Sequence, residues 1–322
     1  MVTLRADPWS PDFGMGFEAS TEETPVPRVD PSVETANWTR PITPSGHLPD
    51  GVWFVDGVRR VELRVLADDG GRRVHGLFGS FAVGTVRCDG TATFDEHRVC
   101  RSVILGGGVL ADRASVGCGP ATLTFEPVTD QRIDPNGPLE RLQELMRAEE
   151  QSIASHALTL GAPLVLADGP LRLNEPGQWP VVGVVKRFVR RYLEPEHERL
   201  LAALRPGDRT PVFAVEDQAG TARGFSWYAR IAPVRPVWHD HAGLVRCEVR
   251  AGPGVDAAIA LAESVTAALP RFAGRPADPR TPQNLTPIAG LESWLRHRMG
   301  NRAMIRRALM SSLAEQREVM AG

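Results

Sequence analysis

Two apolar runs that each end in Asp-Gly constrain the fold of this 322-residue chain more than any other feature. The first ends at Asp56 and Gly57, and the second ends at Asp168 and Gly169. A short apolar run closed by Asp-Gly is typical of a buried strand that ends abruptly and leaves a carboxylate at its rim. If the two strands are neighbours in one sheet, the aspartates lie close enough to share divalent metal ions. Asp-Gly is also common turn chemistry, and on these motifs alone that alternative stays open.

The composition is that of a folded chain without a strong charge bias. Hydrophobic residues make up 42% of the chain and charged residues 24%, which argues against disorder throughout. The formal net charge of -2 excludes a protein that binds nucleic acid through a strongly basic overall charge. Any contact with DNA must therefore come from local basic patches.

Cysteine usage and hydropathy predict a cytoplasmic protein. The four cysteines are far apart, without a Cys-x-x-Cys pair or a histidine at zinc-ligand spacing, which argues against a structural zinc site. The N-terminus has no apolar stretch typical of a signal peptide, and no segment approaches the roughly 18 apolar residues of a membrane span. We therefore expect small core cysteines in a reducing compartment and no membrane contact.

The order of the predicted elements indicates an α/β protein with a mixed sheet. We divide the chain into an irregular N-terminal arm at 1–50, a core at 51–272, and a linker with a C-terminal helical extension at 273–322. Alternating runs over 51–127 predict hairpins, and the apolar spacing of 138–160 predicts a helix. The remaining predictions are strands at 163–168, 181–186, 211–215, 224–231 and 244–249, a basic helix at 187–204, a helix at 255–269, a linker at 273–286, and two helices over 288–319 that separate at Gly300-Asn301.

Five motifs follow one another along the chain in a fixed order. They are the Asp-Gly strand end at 54–60, a helix with glutamates at 145–150, Asp-Gly-Pro-Leu at 168–171, Gly-Val-Val-Lys within 182–187, and the segment 282–292. This order resembles the NurA family of DNA-end-processing nucleases, and the last segment is similar to the closing motif of a bacterial branch of that family.

The resemblance implies a ribonuclease-H-like mixed sheet with flanking helices and a site that binds Mn²⁺ or Mg²⁺. Asp56, Asp168 and a glutamate of the preceding helix would be the metal ligands. It also implies a homodimer that encloses DNA and works with a HerA-type hexameric ATPase, with the N-terminal arm or the C-terminal helices as the places for partner contacts.

Two adjacent glutamates compete for the place of the third ligand. Helical periodicity favours Glu149, because it lies near the centre of the apolar stripe of its helix. The resemblance instead favours Glu150, three residues after Arg147. We prefer Glu150 as the ligand and keep Glu149 as the alternative, and a third possibility is that both are solvated surface residues.

Polar residues beside the strand ends are candidates for holding phosphate. Lys186 closes an apolar strand, where its ammonium would hold the scissile phosphate, or it is a lysine whose charge simply reaches solvent. Arg59 and Arg60 follow the first Asp-Gly and either clamp phosphate or pair with nearby carboxylates. We expect Glu62 to be a surface partner of Arg60, although an unbroken strand would place it on the same face as Asp56.

Two further segments contain residues with a possible role in binding. Arg187, Arg190 and Tyr192 interleave basic and aromatic side chains, which suits a surface that follows DNA phosphates and stacks a base on Tyr192. A solvated helix face is the alternative. His239 and His241 lie on one face of a short run without a third ligand, so we interpret them as part of a surface turn.

The sequence therefore supports two hypotheses of different classes. The first is a Mn²⁺- or Mg²⁺-dependent nuclease of DNA ends, with a role in end resection, repair or DNA defence. The second is a non-catalytic subunit that keeps the fold and acts as an adaptor for the ATPase or for DNA. The two differ in whether the acidic cluster binds metal.

Overall fold

The computed structural model describes residues 3–6, 27–46, 49–173, 177–186, 191–234, 239–274 and 283–321. These residues form one mixed sheet of twelve strands with helices on both faces. The strands are β1 (Thr3–Ala6), β2 (Arg28–Asp30), β3 (Val52–Asp69), β4 (Arg72–Asp89), β5 (Thr91–Leu105), β6 (Ala114–Cys118), β7 (Ala121–Thr129), β8 (Val165–Asp168), β9 (Val181–Val185), β10 (Phe213–Glu216), β11 (Ala222–Arg230) and β12 (Leu244–Arg250). The helices are α1 (Gly137–Thr159), α2 (Pro195–Glu198), α3 (Leu200–Ala203), α4 (Val255–Ala268), α5 (Thr286–Arg298) and α6 (Arg302–Ala321), with a 3₁₀ turn at Leu269–Phe272.

The centre of the sheet has the strand order β5-β4-β3-β8-β9. The first three of these strands along the chain, β3, β4 and β5, form an antiparallel meander. After α1 the chain returns to the sheet, where β8 runs parallel to β3 and β9 runs parallel to β8. The antiparallel strands β12, β11, β10 and β2 extend the sheet beyond β9. The predicted α/β class and the predicted hairpins are therefore confirmed.

Alternation along β3 separates the two sides of the core. Phe54 and Val58 pack on the face that α4 and α5 cover, whereas Trp53 and Val55 pack on the face that α1 covers. Leu291 of α5 is fully buried in the first of these clusters. Although α5 is predicted as part of a C-terminal extension, it packs directly on the central strands.

Two segments of the predicted N-terminal arm belong to the sheet. β1 pairs with β3, and β2 pairs with β10. The almost fully buried Arg209 donates to both carboxylate oxygens of Glu34 at 2.8 Å, which ties the segment after β2 to the core. The prediction of an irregular arm is wrong for these segments, because strand pairing with distant residues leaves no local periodicity. Residues 7–26 lie outside the described residues.

The predicted basic helix at 187–204 is wrong in its described part. Residues 191–194 are not helical, and α2 and α3 are single turns. Pro195 explains the interruption, because a proline disfavours helical backbone in the residue before it, and Glu194 is extended. Residues 187–190 and most of the predicted linker, 275–282, lie outside the described residues.

The other predicted strands and helices are confirmed within a few residues. The break at Gly300-Asn301 separates α5 from α6, as predicted. None of the helices in the described ranges is both long and apolar enough to span a membrane.

Candidate metal centre

Asp56 lies inside a strand and not at its end. β3 continues to Asp69, and Gly57 pairs with Val83 in the ladder between β3 and β4. The predicted strand end at Asp56 is therefore wrong, because pairing with β4 holds the backbone extended through the glycine and on to Asp69. Asp56 is 6% exposed and shares the sheet face of Phe54.

Asp168 is the last residue of β8, as predicted. Gly169 follows with a φ of 92°, a left-handed conformation that glycine adopts without strain and that turns the chain out of the sheet. Phe54 pairs with Leu166 in the parallel ladder, so Asp56 and Asp168 lie two residues further along neighbouring strands on the same face. The structure brings the two predicted aspartates together.

A third carboxylate comes from α5, where the sequence analysis assigned no ligand. Single carboxylate oxygens of Asp56, Asp168 and Glu292 lie within 4.8 Å of one another. Glu292 is 8% exposed on the helix face that also buries Leu291 and Leu295, and it accepts a hydrogen bond from Arg296 at 2.7 Å. Its position on an apolar stripe is the signal by which the sequence indicates an unusual role, since a buried carboxylate needs a cation or a donor.

Glu150 reaches the same centre from the opposite face of the sheet, whereas Glu149 does not. The Gly57 backbone N–H donates a hydrogen bond to the Glu150 carboxylate. Glu149 turns toward β5, where it pairs with Arg98. Glu150, the preferred residue, is therefore the nearer of the two to the aspartates, and Glu149 pairs with Arg98 instead. The three carboxylates that lie together do not include Glu150, however, because Glu292 takes the place predicted for it.

Gly57 lets α1 approach the strand closely enough for Glu150 to reach the centre. A Cβ atom at this position would lie 2.5 Å from Glu150 Oε1, 2.9 Å from Met146 Cγ and 2.9 Å from Val83 Cγ1. Gly57 is thus required for the close approach of α1 to β3. The sequence predicts a different role for this glycine, in a turn at the end of the strand.

The substitution Gly57→Ala is expected to lower the free energy of unfolding by about 1–3 kcal/mol, because the added methyl overpacks the contact with α1. It should also displace Glu150 and weaken any stabilisation by Mn²⁺. Urea unfolding with and without Mn²⁺ measures both effects. Gly117→Ala in β6 is the matched control, since its Cβ meets no atom within 4 Å. Equal behaviour of the two variants would contradict the close-approach role.

Lys186 follows β9 and supplies one positive charge to the cluster. Its Nζ lies 2.8 Å from Asp168 Oδ1. Val184 pairs with Asp168 in the ladder between β8 and β9, so the lysine lies two residues further along, at the same edge as the aspartates. The predicted placement of Lys186 beside the carboxylates agrees with the structure.

The crowding of carboxylates raises the affinity of two of them for protons. Burial raises the pKa of Asp56 well above its usual range, Asp168 and Glu150 reinforce the rise, and Lys186 opposes it. Burial likewise raises the pKa of Glu150 to about 7, with Arg147 opposing and Asp168 reinforcing the shift. A bound cation reverses this tendency because it stabilises the ionised form of each ligand.

The donor set fits a hard divalent cation. Asp56 Oδ2 is buried and has no hydrogen-bond partner within the described residues, so a strong acceptor is left without a donor. Carboxylate oxygens are the ligands that Mg²⁺ and Mn²⁺ prefer. Asp56, Asp168 and Glu292 would therefore hold the metal, with Glu150 adjacent.

No protein-family model matches the chain, and the comparison with curated proteins finds no match. The resemblance to the NurA family therefore stays a prediction. The geometry of the carboxylate cluster is the main support for any function of this protein.

An open cleft above the cluster brings in residues from two further loops. It is lined on one side by Asp56, Asp168 and Lys186 and on the other by four side chains of distant segments, which are His239, His241, Gln283 and Asn284. The predicted surface turn at the two histidines is confirmed, since 240–243 form a turn and His239 is exposed, and the structure adds that both side chains line the cleft. Among the residues that line the cleft, Asn284 Oδ1 is, like Asp56 Oδ2, a buried oxygen without a partner in the described residues.

The arginines after the first Asp-Gly contact protein groups. Arg59 Nε donates to Gln143 Oε1 on α1. Arg60 donates to both carboxylate oxygens of Glu62 at 3.0 Å and to the Gly300 carbonyl at 3.1 Å, beyond the end of α5. Glu62 is fully buried, so its prediction as a surface residue is wrong although its predicted partner is confirmed. The geometry gives Arg60 a structural role.

Tyr192, which is predicted to stack on a base, already makes a cation–π contact with an arginine of the protein. The Arg246 guanidinium lies 3.9 Å from the ring centroid, and Tyr192 packs beside Phe213 in a cluster behind the sheet. One face of the ring is therefore occupied by protein. Arg187 and Arg190, its predicted companions, lie outside the described residues.

Proposed function

We propose that this protein is a metal-dependent deoxyribonuclease that acts at DNA ends, with a ribonuclease-H-like core and a Mn²⁺ or Mg²⁺ centre. One observation carries the proposal: three carboxylate oxygens lie within 4.8 Å of one another, and the buried Asp56 Oδ2 has no hydrogen-bond partner in the part of the chain that the structure describes. Such a cluster is costly without a cation and is the arrangement that phosphodiester hydrolysis uses.

The topology around the cluster supports the ribonuclease-H-like part of the proposal. A three-stranded meander is followed by a helix and by two strands parallel to the first strand of the meander. The aspartates lie on two of these parallel neighbours, β3 and β8, so rigid elements hold them. Rigid elements matter because a small shift of a metal ligand disturbs the in-line geometry that attack on the phosphate requires.

Each residue of the proposed centre has a separate role, which follows from its charge and position. A metal ion bound by Asp56, Asp168 and Glu292 would activate water and stabilise negative charge on the phosphate oxygens. Glu150, fixed by the Gly57 N–H, is positioned to accept a proton, since its pKa of about 7 is near neutral pH. Lys186 is positioned to hold a phosphate oxygen beside Asp168.

The proposed partners follow from the resemblance to the NurA family. They are DNA, a second copy of the chain in a homodimer, and a HerA-type hexameric ATPase that moves DNA to the nuclease. The proposed location is the cytoplasm.

Arg147 lines the cleft, and it lies close enough to Arg59 to reinforce the lowering of the Arg59 pKa that burial causes. These two arginines are the proposed phosphate contacts beside the carboxylates.

A non-catalytic adaptor is the second candidate, and the ion pair of Lys186 with Asp168 favours it. At 2.8 Å this lysine neutralises one carboxylate without any metal. The raised pKa values of Asp56 and Glu150 would then lower the negative charge that remains in the cluster. This candidate predicts that the cluster has no useful affinity for Mn²⁺ or Mg²⁺.

Cleavage of end-labelled linear DNA in the presence of Mn²⁺, Mg²⁺ or EDTA tests the proposal. We expect metal-dependent degradation that Asp168→Asn lowers by about 1,000-fold or more, because loss of a ligand removes several kcal/mol of charge stabilisation. Glu126→Gln is the control, since Glu126 forms an exposed pair with Arg113. Absence of cleavage in every metal, also with a HerA-type ATPase added, would leave the adaptor as the function.

A further inference from the structure

A second, more enclosed pocket adjoins the cleft on the α1 side of the sheet. The two cavities share Arg147, Glu150, Asp168 and Pro170, so they meet at the carboxylates. The second pocket has a cavity volume of about 50 Å³. Because a single water needs roughly 10–15 Å³ of such space, the pocket has room for a group the size of a phosphate.

The lining of this pocket is rich in donors for an anion. Three arginines line it, Arg147 from α1, Arg172 from the loop after β8, and Arg250 from the end of β12. Gln151, Ser155 and Gln178 add neutral polar groups. Guanidinium groups bind phosphate through two parallel hydrogen bonds, which makes arginine well suited to phosphate recognition.

The charge of the pocket depends on the neighbouring metal centre. Glu150 and Asp168 also line it, so the described lining residues include three arginines and two acids. Arg147 and Arg172 both lie close enough to Glu150 to oppose the rise of its pKa that burial causes. A divalent metal bound by Asp56, Asp168 and Glu292 would add two positive charges beside the pocket. Metal binding therefore makes the surroundings of the pocket more positive.

Arg250 is held in place by backbone contacts. Its Nη2 donates to the Arg172 carbonyl at 3.4 Å. Its guanidinium lies against Gly177, where a Cβ atom would clash with it. A fixed guanidinium loses less side-chain entropy on binding an anion than a mobile one does.

We propose that this pocket binds the terminal phosphate monoester of the DNA strand that is cut, so that the chain end is recognised beside the metal centre. The inference rests on the proposed nuclease function and adds the chemical class of end that the enzyme selects. A terminal monoester carries up to two negative charges, whereas an internal phosphodiester carries one, so a pocket with three arginines favours the end of a strand.

The contiguity of the two cavities determines where the bound strand would run. A terminal phosphate in the pocket places the next linkages of the strand over Glu150 and Asp168 in the cleft. The lining comes from α1, from residues 170–172 and 177–178, and from the end of β12, so a terminal phosphate would lie between these three segments. The position of the cut is then set by its distance from the phosphorylated terminus.

Cleavage rates on three linear duplexes test the inference. The duplexes are identical except for a 5′-phosphate, a 3′-phosphate, or hydroxyl groups at both termini. We expect one phosphorylated end to be cut about 10-fold faster or more than the hydroxyl end, because charge-assisted hydrogen bonds to the monoester are lost without it. Inorganic phosphate should reduce this preference by competition. Equal rates on all three duplexes would overturn the inference and leave the nuclease function intact.

Arg250→Gln is the variant that links the preference to the pocket. It should bring the ratio of rates on phosphorylated and hydroxyl ends close to one, whereas Arg223→Gln should keep the wild-type ratio. Arg223 is the matched control because it lies beside Arg250 across the sheet but pairs with Asp217 outside the pocket. An unchanged ratio in Arg250→Gln would contradict the assignment.

Binding provides a test that does not depend on cleavage. Short labelled strands with phosphate or hydroxyl ends are titrated with the protein in Ca²⁺, and anisotropy gives both dissociation constants. We expect tighter binding of the phosphorylated strand by wild type and equal binding by Arg250→Gln. If no DNA is cut in any metal but this difference is present, the nuclease function fails while the pocket assignment stands.

Discussion

Asp56→Asn is expected to abolish metal-dependent DNA cleavage and, at the same time, to make the metal-free protein more stable. The loss of activity should be about 1,000-fold or more, because Asp56 is the most buried carboxylate of the proposed ligand set and its loss removes several kcal/mol of stabilisation. The gain in stability should be about 1–3 kcal/mol, since burial disfavours the ionised carboxylate, whereas the amide is neutral at every pH and donates to the neighbouring carboxylates.

The dependence of stability on pH has its origin in the same crowding. A carboxyl whose pKa is higher in the folded protein than in the unfolded chain binds more protons when folded, so its contribution is lost as pH rises between the two values. For Glu150 this window extends from about 4.5 to about 7. The metal-free protein should therefore become less stable over this range.

Thermal or urea unfolding across this pH range, with EDTA and with Mn²⁺, measures both effects. At a metal concentration about 100 times the dissociation constant, Mn²⁺ should add about 2.7 kcal/mol to wild type and little to Asp56→Asn. Glu126→Gln should behave like wild type in both conditions, because its ion pair with Arg113 is exposed. A metal-free Asp56→Asn variant that is less stable than wild type would show that the carboxylate is satisfied without a cation.

Local patterns predict the elements of this fold well where each pattern is long or is closed by a special backbone conformation. α1 has 23 residues with a regular apolar stripe, so its period is unambiguous. Asp168 is followed by a glycine with positive φ, and there the strand does end. The same dipeptide at Asp56 misleads, because Gly57 serves the packing of α1 and the strand continues. Sequence alone does not separate these two uses of glycine.

The parts of the site that the sequence does not predict come from distant segments. Glu292 is placed by the packing of α5 on the central strands, and the two histidines line the cleft from the segment just before β12. Their local patterns, a buried helix stripe and a short polar run, contain no information about which strand they will face. Pairing of β2 with β10 has the same origin, since register between distant strands is set by the whole sheet.

The adjacent glutamates of α1 provide the sharpest test of the proposed centre. Glu150→Gln is expected to lower metal-dependent cleavage by about 100-fold or more, because it removes a positioned proton acceptor beside the aspartates. Glu149→Gln should stay within about twofold of wild type, since it changes a partly exposed pair with Arg98. The two variants carry the same substitution one residue apart on the same helix, so effects on helix propensity are matched.

The two outcomes of this comparison have different structural meanings. Steady-state rates on end-labelled DNA, together with urea unfolding of each variant, separate a loss of chemistry from a loss of folding. If Glu149→Gln is the inactive variant, α1 must be rotated relative to β3 in the active protein, and the close approach at Gly57 would have to be broken. If only Glu150→Gln is inactive and both variants are folded, the centre contains carboxylates from both faces of the sheet. The hydrogen bond from the Gly57 N–H then holds Glu150 in the position that the proposed chemistry requires.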